Sequence, residues 1–315
     1  MRINKFTKLI LHYLGLNALA RLFLKHKIYA LSYHSVSSPE TNDEFNADLY
    51  KNLSIKKDRF ESHIKFLKNK GHTFVNLNDI SSSDLKNINK PTIIYFDDGF
   101  KDNIKNALPI LKKYGVKATV FITTNIADGN STLWTIKHRA YLKSVGVKKE
   151  EWGSVIGELK MMNKIDREQR LSADYDRSSF VWDDKNSNLF LNWEDVKTLL
   201  GSGVEIGSHS ISHHNLFEID ENLITKELKE SKELIENKIG KTINSFSYPY
   251  GRGNSDINKI LKNLDYEVVV SNGPGLNNLD SISNKFIVLK TVPVKINDDV
   301  LDLGAKLYAR YFLRS

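Results

Sequence analysis

The chain of 315 residues contains no cysteine, which excludes a disulfide framework and any metal site built on thiolates. A bound metal would have to be held by histidine and carboxylate side chains. No stretch is long and apolar enough to cross a bilayer, and no linker rich in proline, glycine or serine divides the chain. We therefore expect one domain, because a chain of this length with 40% hydrophobic residues can bury a substantial core.

The net charge of +8 comes from lysines that are spread along the chain. Neither an arginine-rich block nor an alternation of basic and aromatic residues is present, so we expect no nucleic-acid partner. The N-terminal segment 1–27 is basic and amphipathic. It predicts a helix that either packs on the domain or lies on an anionic membrane surface, with a slight preference for the membrane. Because no clear signal-peptidase site follows, we expect a cytoplasmic protein, peripheral at the inner membrane face, rather than a secreted one.

From residue 28 onward, short apolar runs alternate with amphipathic helical segments at the spacing of parallel βαβ units. The predicted strands occupy 28–36, 72–77, 91–96, 117–124, 204–210, 245–251, 266–272 and 286–294. The predicted helices occupy 57–71, 102–115, 192–203, 220–240, 255–263 and 298–312. About seven strand–helix units in succession predict an α/β fold of the (β/α) barrel type, one strand short of the usual eight.

Two segments stand apart from this alternation. The charged segment 128–192 predicts one or two helices followed by an irregular loop, and we interpret it as an insertion after a strand. Its tryptophans, Trp134, Trp152 and Trp182, are expected to anchor a small core, with stacking on a sugar as the alternative. The helix at 220–240 is rich in glutamate and lysine four residues apart, and we interpret it as a solvent-exposed face only.

Reactive side chains of a (β/α) barrel collect at the C-terminal ends of its strands. In this chain those ends carry His34, the acid pair Asp97 and Asp98, and the histidines His209 and His213. Adjacent carboxylates repel each other unless a cation lies beside them, although a solvated turn is the alternative. The two histidines lie four residues apart, so one turn of chain could direct both imidazoles to one point. With Asp98 they would form a His–His–carboxylate metal set, from which the neighbouring His214 should point away.

Three motifs then occur in order: YFDDG at 95–99, HSISH at 209–213 and YPYG at 248–251. They resemble the signature motifs of the polysaccharide deacetylases, also called the NodB-homology or carbohydrate esterase family 4 enzymes. The resemblance covers about residues 28–295 and implies a distorted (β/α)7-type barrel in a single catalytic domain, 28–315, with the insertion at about 128–192. It also implies that Asp98, His209 and His213 bind a divalent metal, usually zinc, and that Asp97 is the general base.

The third motif carries a further implication and a departure. The resemblance implies that the backbone N–H of Tyr250 stabilises the tetrahedral oxyanion, and that Pro249 and Tyr250 fix that loop. Many members of the family have an arginine, which orients the base, at the position that Ser247 occupies here. Arg252 and Lys290 are the candidate substitutes.

A second departure concerns the proton donor to the leaving amine. Many members of the family use a histidine in a C-terminal motif, whereas no histidine follows His214 in this chain. We therefore assign His34, at the end of the first strand, as the candidate acid. A structural hydrogen bond between His34 and a neighbouring loop is the alternative.

The resemblance implies a metal-dependent hydrolase that removes N-acetyl groups from a sugar of a bacterial surface polysaccharide or its lipid-linked precursor. One alternative is a deacylase of another amide or ester, such as an O-acetyl ester, a formamido sugar or a chitin-type oligosaccharide. Another is a catalytically silent glycan-binding module. The presence of Asp97 argues against a silent module, because binding the metal needs only Asp98 and the two histidines.

Overall fold

A computed structural model describes residues 27–38, 51–81, 85, 87–182, 188–279 and 285–309. The predicted helix at 1–27 lies outside the described residues except for Lys27, so that helix and its membrane contact stay predictions. Within the described ranges, no helix has the length and apolar character needed to cross a membrane.

Seven parallel strands close into a barrel, which confirms the predicted (β/α)7-type fold. The strands in chain order are β1 (Lys27–Tyr33), β2 (Ser35–Ser37), β3 (Ser54–Lys56), β4 (Thr73–Phe74), β5 (Pro91–Phe96), β6 (Thr119–Ile122), β7 (Glu205–Ser208), β8 (Ser245–Ser247), β9 (Val268–Pro274), β10 (Asn277–Asn278) and β11 (Ile287–Pro293). The barrel order is β1, β5, β6, β7, β8, β9, β11, and β11 pairs with β1 to close the circle. Strand β4 adds to the start of β5, β10 pairs antiparallel with β1, and β2 pairs with β3 in a separate small sheet.

Helices surround the barrel and cover its outer face. They are α1 (Lys57–Asn69), α2 (Leu108–Tyr114), α3 (Thr124–Ala127), α4 (Trp134–Ser144), α5 (Trp152–Met161), α6 (Lys164–Ser178), α7 (Trp193–Gly201), α8 (Glu221–Ile239), α9 (Ser255–Asn263) and α10 (Val300–Gly304). One turn of π-helix, Asn103–Ala107, leads into α2, and another, Ala305–Ala309, follows α10. The predicted N-cap of α7 is confirmed, because the Asn192 side chain accepts the Asp195 N–H at 3.0 Å while Asp195 accepts the Asn192 N–H.

The alternation of side chains along each strand separates the barrel interior from the layer beneath the helices. On β5, Ile93 and Tyr95 belong to the interior cluster, whereas Ile94 and Phe96 pack with residues of α1. On β7 the inward position is Gly207, where a Cβ would lie 2.5 Å from the ring of Phe121. The same alternation sends the next odd-numbered side chains, Asp97 and His209, toward the mouth of the barrel.

The described part of the insertion contains three α-helices, α4 to α6, so the prediction of one or two helices was wrong. Helix α6 escaped notice because it lacks an apolar stripe: Leu171 is its one buried apolar side chain, and the other two buried positions are the charged residues Arg167 and Asp174. Trp152 is buried in the insertion's own cluster and donates to the Val147 carbonyl at 3.0 Å, which confirms it as a core anchor. Phe100 and Ile126 of the barrel side join this cluster and attach the insertion to the mouth.

Candidate metal centre and active site

The chain leaves β5 through a tight turn that presents the acid pair. Asp98 and Gly99 have φ angles of +70° and +69°, the left-handed region that a non-glycine residue seldom adopts. A Cβ at Gly99 would also lie 3.2 Å from Ile122 Cδ1, so the second turn position needs glycine. Asp97 keeps the line of the strand, because its N–H donates to the Tyr33 carbonyl at 3.0 Å. The turn therefore sends the two neighbouring carboxylates in different directions.

Asp98, His209 and His213 converge on one point. The Nε2 atoms of His209 and His213 lie 3.4 and 3.3 Å from Oδ1 of Asp98, and the three candidate ligand atoms all lie within 4.8 Å of one another. Tetrahedral ligands at about 2.0–2.1 Å from zinc are about 3.4 Å apart, so the spacing fits a small divalent cation. Asp98 is 4% exposed, and its Oδ1 has no hydrogen-bond partner among the described residues. A cation at this point would satisfy that buried oxygen.

The electrostatics of the cluster keep its carboxylate ionised. Burial alone would raise the pKa of Asp98, yet the imidazoles of His209 and His213 hold it well below its usual range. Burial likewise lowers the pKa of His209, but Asp98 and Asp97 outweigh that effect and raise it overall.

The orientation of His209 is fixed from the neighbouring strand. Its Nδ1 lies 2.8 Å from the Ser247 carbonyl, which can only accept, so Nδ1–H is the donor. The tautomer leaves Nε2 with its lone pair toward Asp98, as a metal ligand requires. Ser247, which occupies the usual arginine position, thus contributes through its backbone.

The loop that carries His213 is held by a buried carboxylate on α8. Glu227 Oε2 accepts the N–H groups of Ile211 and Ser212, both at 2.9 Å, and Glu227 is 2% exposed. This contact restrains a loop in which Ser210 and His213 have φ angles of +67° and +55°. The interpretation of 220–240 as a solvent-exposed face only was therefore wrong.

The physical reason lies in where Glu227 falls along α8. It lies on the same helix face as Ile224, Leu228 and Ser231, the stripe that packs on the barrel. His214 Nε2 is 4.0 Å from the other oxygen of Glu227, so His214 lies outside the set of three ligands, as predicted.

Asp97 is buried next to the cluster, with 4% of its surface exposed. Ser32 Oγ donates to its Oδ2 over 3.4 Å, and Oδ1 has no partner in the described ranges. Arg252 and Lys290 are both exposed, and neither forms an ion pair with Asp97 in the described part of the chain. The missing arginine is thus not replaced by either candidate, and a serine hydroxyl holds the carboxylate instead.

A cavity of about 130 Å³ opens beside the cluster at the mouth. Its lining comprises His34, Leu53, Asp97, Asp98, Leu133, Trp134, Thr135, Lys160, His209, His213, Tyr248, Tyr250 and Gly251. The predicted residues His34, Asp97 and Tyr250 thus share one cavity with the three candidate ligands. The sequence analysis missed Lys160, and it expected Trp134 to anchor a core, with stacking on a sugar as the alternative. Both come from the insertion. Its position after a strand places it at the mouth, but no local pattern indicates which of its side chains reach the cavity.

His34 lies between β1 and β2 and is partly exposed. Its carbonyl accepts from Asn103 Nδ2 at 2.8 Å, whereas its imidazole forms no hydrogen bond within the residues that the structure describes. The described residues therefore give no support to the alternative of a histidine that ties the strand end to a loop through its ring. The ring faces the cavity, where a substrate could meet it.

Pro249 and Tyr250 form a single 3-10 turn in the loop after β8. Tyr250 has a φ of +58°, and its ring centroid lies 5.0 Å from that of His213. Its hydroxyl accepts from Trp134 Nε1 at 3.0 Å, and burial raises its pKa. The loop therefore contacts both the metal cluster and the insertion.

The sequence profile of the family described as "Polysaccharide deacetylase" matches residues 84–269, more than half of the chain. The chain belongs to the polysaccharide deacetylase family. The deacetylases of this family depend on a metal, which agrees with the unsatisfied Asp98 oxygen.

Two relatives illustrate how far the similarity of this deacetylase-family chain extends. YxkH of Bacillus subtilis (strain 168), a polysaccharide deacetylase by name, is 27% identical over 252 residues, 79% of this chain and 66% of the relative. The poly-β-1,6-N-acetyl-D-glucosamine N-deacetylase of Staphylococcus aureus (strain MSSA476) is 33% identical over 109 residues, 32% of this chain and 38% of that enzyme. The chain thus spans less than two thirds of the length of the curated relatives it matches.

Solved structures share the fold of this deacetylase-family barrel. The Streptococcus pyogenes deacetylase PplD in complex with acetate superposes with a TM-score of 0.61 at 20% identity, covering 90% of this chain and 99% of that one. IcaB from Ammonifex degensii gives a TM-score of 0.60 at 18% identity, covering 90% and 97%. Both confirm the barrel architecture.

Proposed function

We propose that this protein is a metal-dependent hydrolase that removes N-acetyl groups from a sugar of a bacterial surface polysaccharide or its lipid-linked precursor. The observation that carries the proposal is the buried, unpartnered Oδ1 of Asp98 facing the Nε2 atoms of His209 and His213 at 3.4 and 3.3 Å. Membership of the family supports the deacetylase chemistry. The name of the staphylococcal relatives supports an N-acetylglucosamine polymer as the first substrate to test.

Asp98, His209 and His213 would hold the cation. Two imidazoles and one carboxylate, without thiolates, suit zinc and leave positions open. When bound there, a divalent cation acts as a Lewis acid on a carbonyl oxygen and lowers the pKa of water.

Asp97 is the base in this proposal. It lies on the cavity wall with one oxygen free of hydrogen bonds in the described part of the chain, so that oxygen can take the proton from the attacking water. The water oxygen bonds to the acyl carbon, and the carbonyl oxygen becomes an oxyanion. The backbone N–H of Tyr250 stabilises that oxyanion.

His34 completes the reaction as the acid. When the C–N bond breaks, the nitrogen takes a proton from the imidazole and leaves as a free amine, while the acyl group leaves as acetate. Asp97 then gives up its proton and His34 regains one, either by direct transfer between them or through solvent. Both groups thereby return to their starting protonation states. The position of His34 on the cavity wall, with its ring unpaired in the described structure, supports this role.

The test is acetate release from β-1,6-linked N-acetylglucosamine oligosaccharides and from lipid-linked N-acetylated saccharides, with and without a chelator. We expect release that the chelator abolishes and zinc restores. Release from acetyl-xylan or a formylated sugar, with none from the N-acetylated panel, would support the alternative deacylase. No release from any of these substrates by the metal-loaded protein would favour the silent glycan-binding module.

The acid is tested by comparing His34→Gln with Lys160→Gln, since both side chains line the cavity and both can carry a proton. We expect the His34 variant to lose about 10²–10⁴-fold in turnover, the usual contribution of a general acid. The Lys160 variant should retain turnover within a few-fold. The reverse order would move the acid role to Lys160.

A further inference from the structure

The insertion is attached to the candidate metal centre by a continuous series of side-chain contacts. We call the four residues Glu218, Arg167, Trp134 and Tyr250 the docking chain. Arg167 and Trp134 belong to the insertion, whereas Glu218 and Tyr250 belong to loops of the barrel mouth. The docking chain ends on the ring of His213, so it joins the insertion to a candidate metal ligand.

Arg167 lies at the centre of the docking chain. One of its terminal nitrogens donates to Glu218 Oε2 at 2.6 Å, and the other donates to the Met162 carbonyl at 3.3 Å. Its guanidinium carbon lies 5.3 Å from the centroid of the Trp134 ring. The Arg167 side chain is 10% exposed, so both the ion pair and the cation–π contact are largely shielded from water. A planar guanidinium can make both contacts at once, which a lysine cannot.

Trp134 passes this restraint on to Tyr250. Its indole Nε1–H donates to the Tyr250 hydroxyl at 3.0 Å, and the Tyr250 ring lies 5.0 Å from the ring of His213 at an interplanar angle of 55°. Tyr250 has a φ of +58°, a conformation that surrounding contacts must maintain in a residue with a side chain. Within the described residues, the Trp134 indole is the group of the insertion that hydrogen-bonds to the Tyr250 hydroxyl.

We propose that Arg167 is a positioning residue of the active site, which fixes Trp134 so that Trp134 holds Tyr250 in its left-handed conformation. The backbone N–H of Tyr250, the proposed oxyanion donor, is thereby kept in one orientation. The catalytic part of this inference rests on the proposed function, whereas the contacts from the insertion to Tyr250 do not. The insertion is then part of the active site, because its residues determine the orientation of the proposed oxyanion donor.

The first test is kinetic and uses the full chain loaded with zinc. Arg167→Ala and Trp134→Phe should lower kcat on an N-acetylglucosamine oligosaccharide by about tenfold or more, short of the 10²–10³-fold that follows complete loss of an oxyanion donor. Zinc affinity, measured by competition with a chelator, should stay within about twofold. Arg167→Lys keeps the charge and the ion pair to Glu218 but not the stacking, and should resemble Arg167→Ala in kcat.

The matched control is Arg170→Ala on the same helix. Arg170 also forms an ion pair, with Asp174 at 3.0 Å, but it is 58% exposed and has no contact with the docking chain in the described structure. Its kcat should equal that of the wild type. If Arg170→Ala lowers kcat as much as Arg167→Ala, or if Arg167→Ala loses zinc affinity and thermal stability together with kcat, the role is general support of the insertion and the proposal is wrong.

The second test needs no activity. The chain has four tryptophans, and ¹⁵N labelling of their indoles gives four N–H resonances, of which Trp134→Phe identifies one. Both Tyr250→Phe and Arg167→Ala should shift that resonance, whereas Arg170→Ala should leave it in place. An unchanged Trp134 resonance in Arg167→Ala overturns the proposal even if the enzyme is active. A wild type that releases no acetate, combined with the expected shifts, would contradict the proposed function and leave the docking chain established.

Discussion

Each end of the barrel holds a carboxylate, Glu205 partly buried at the N-terminal ends of the strands (the base) and Asp98 buried at their C-terminal ends (the mouth). The two carboxylates have opposite environments. At the base, Glu205 Oε2 accepts the Leu77 N–H at 2.9 Å and the Thr119 hydroxyl at 3.2 Å, and burial raises the pKa of Glu205 to about 7. At the mouth, Asp98 Oδ1 has no partner in the described ranges, and two imidazoles keep its pKa well below the usual range. A satisfied carboxylate that tends toward neutrality is a structural group. An ionised carboxylate that faces two imidazoles, with an oxygen that accepts no hydrogen bond, is suited to bind a cation.

The contrast occurs along a single strand. Glu205 begins β7, and His209 follows the end of β7 on the same inward-facing alternation. The strand thus supplies a hydrogen-bonded anchor at one end and a candidate ligand at the other. The division follows the usual rule for (β/α) barrels, in which the base stabilises and the mouth reacts.

The largest expected effect comes from removing the carboxylate of the mouth. Asp98→Ala should bind no zinc after dialysis and release acetate only at the background rate, because two imidazoles alone make a poor site. Metal content per chain, measured by elemental analysis, gives the result directly. Full zinc occupancy in this variant would show that the Asp98 carboxylate is not needed to bind the cation, contrary to the role that distinguishes it from Glu205.

The next effect separates Asp97 from Asp98. Asp97→Asn should lower turnover by about 10²–10⁴-fold, the usual contribution of a general base, because the amide cannot take the proton. Its zinc content should match the wild type, since Asp97 is not among the three clustered ligands. Unchanged turnover would contradict the assignment of Asp97 as base.

A smaller effect on zinc binding is expected from Glu227, which contacts the loop that carries the candidate ligand His213. Glu227→Ala removes the acceptor for the Ile211 and Ser212 N–H groups, so the loop that carries His213 loses its restraint. Zinc affinity should fall by about 10–100-fold, the usual range for partners behind metal ligands. Chelator competition measures it, and excess zinc should restore turnover. Glu230→Ala, an exposed position on the same helix, is the control and should bind zinc as the wild type does.

The smallest effect is expected at Glu205, at the base of the barrel. It is a gain in stability, whereas the preceding variants lose metal or turnover. The pKa of Glu205 is about 7 in the folded protein against 4.5 for an ordinary glutamate, so the folded form holds its proton to higher pH. The free energy of unfolding therefore falls as pH rises from about 4.5 to 7 and stays low above that range. Glu205→Gln is a neutral replacement that keeps an acceptor, and it should gain about 1–2 kcal/mol at pH 8 and little at pH 5.

Thermal unfolding at pH 5 and pH 8 measures this difference. The gain should appear at pH 8 alone, with turnover and zinc content unchanged. An equal loss of stability at both pH values would show that the hydrogen bonds of Glu205 matter more than its charge. The proposed difference between Glu205 and Asp98 would then be wrong.

How much the sequence could predict depends on how local each signal is. The strand alternation and the motifs at 95–99 and 209–213 are local, so the barrel and the convergence of Asp98, His209 and His213 could be predicted. Glu227 was missed because the glutamate–lysine spacing of α8 runs through both its exposed and its buried faces. No local pattern could indicate that Trp134, Lys160 or Arg167 reaches the mouth, since each contact joins residues more than 50 positions apart or crosses the cavity.

The packing around Gly207 limits how far the cavity at the mouth can extend into the barrel. A side chain there would collide with Phe121 at 2.5 Å and with Ser245 Oγ at 2.6 Å, because the interior is already filled at that level. Side chains therefore fill the barrel interior at the level of Gly207, two residues before the candidate ligand His209. On the mouth side, the insertion lines part of the described cavity through Leu133, Trp134, Thr135 and Lys160. A larger or smaller side chain at one of these insertion positions would therefore change the space available to a substrate beside the candidate ligands.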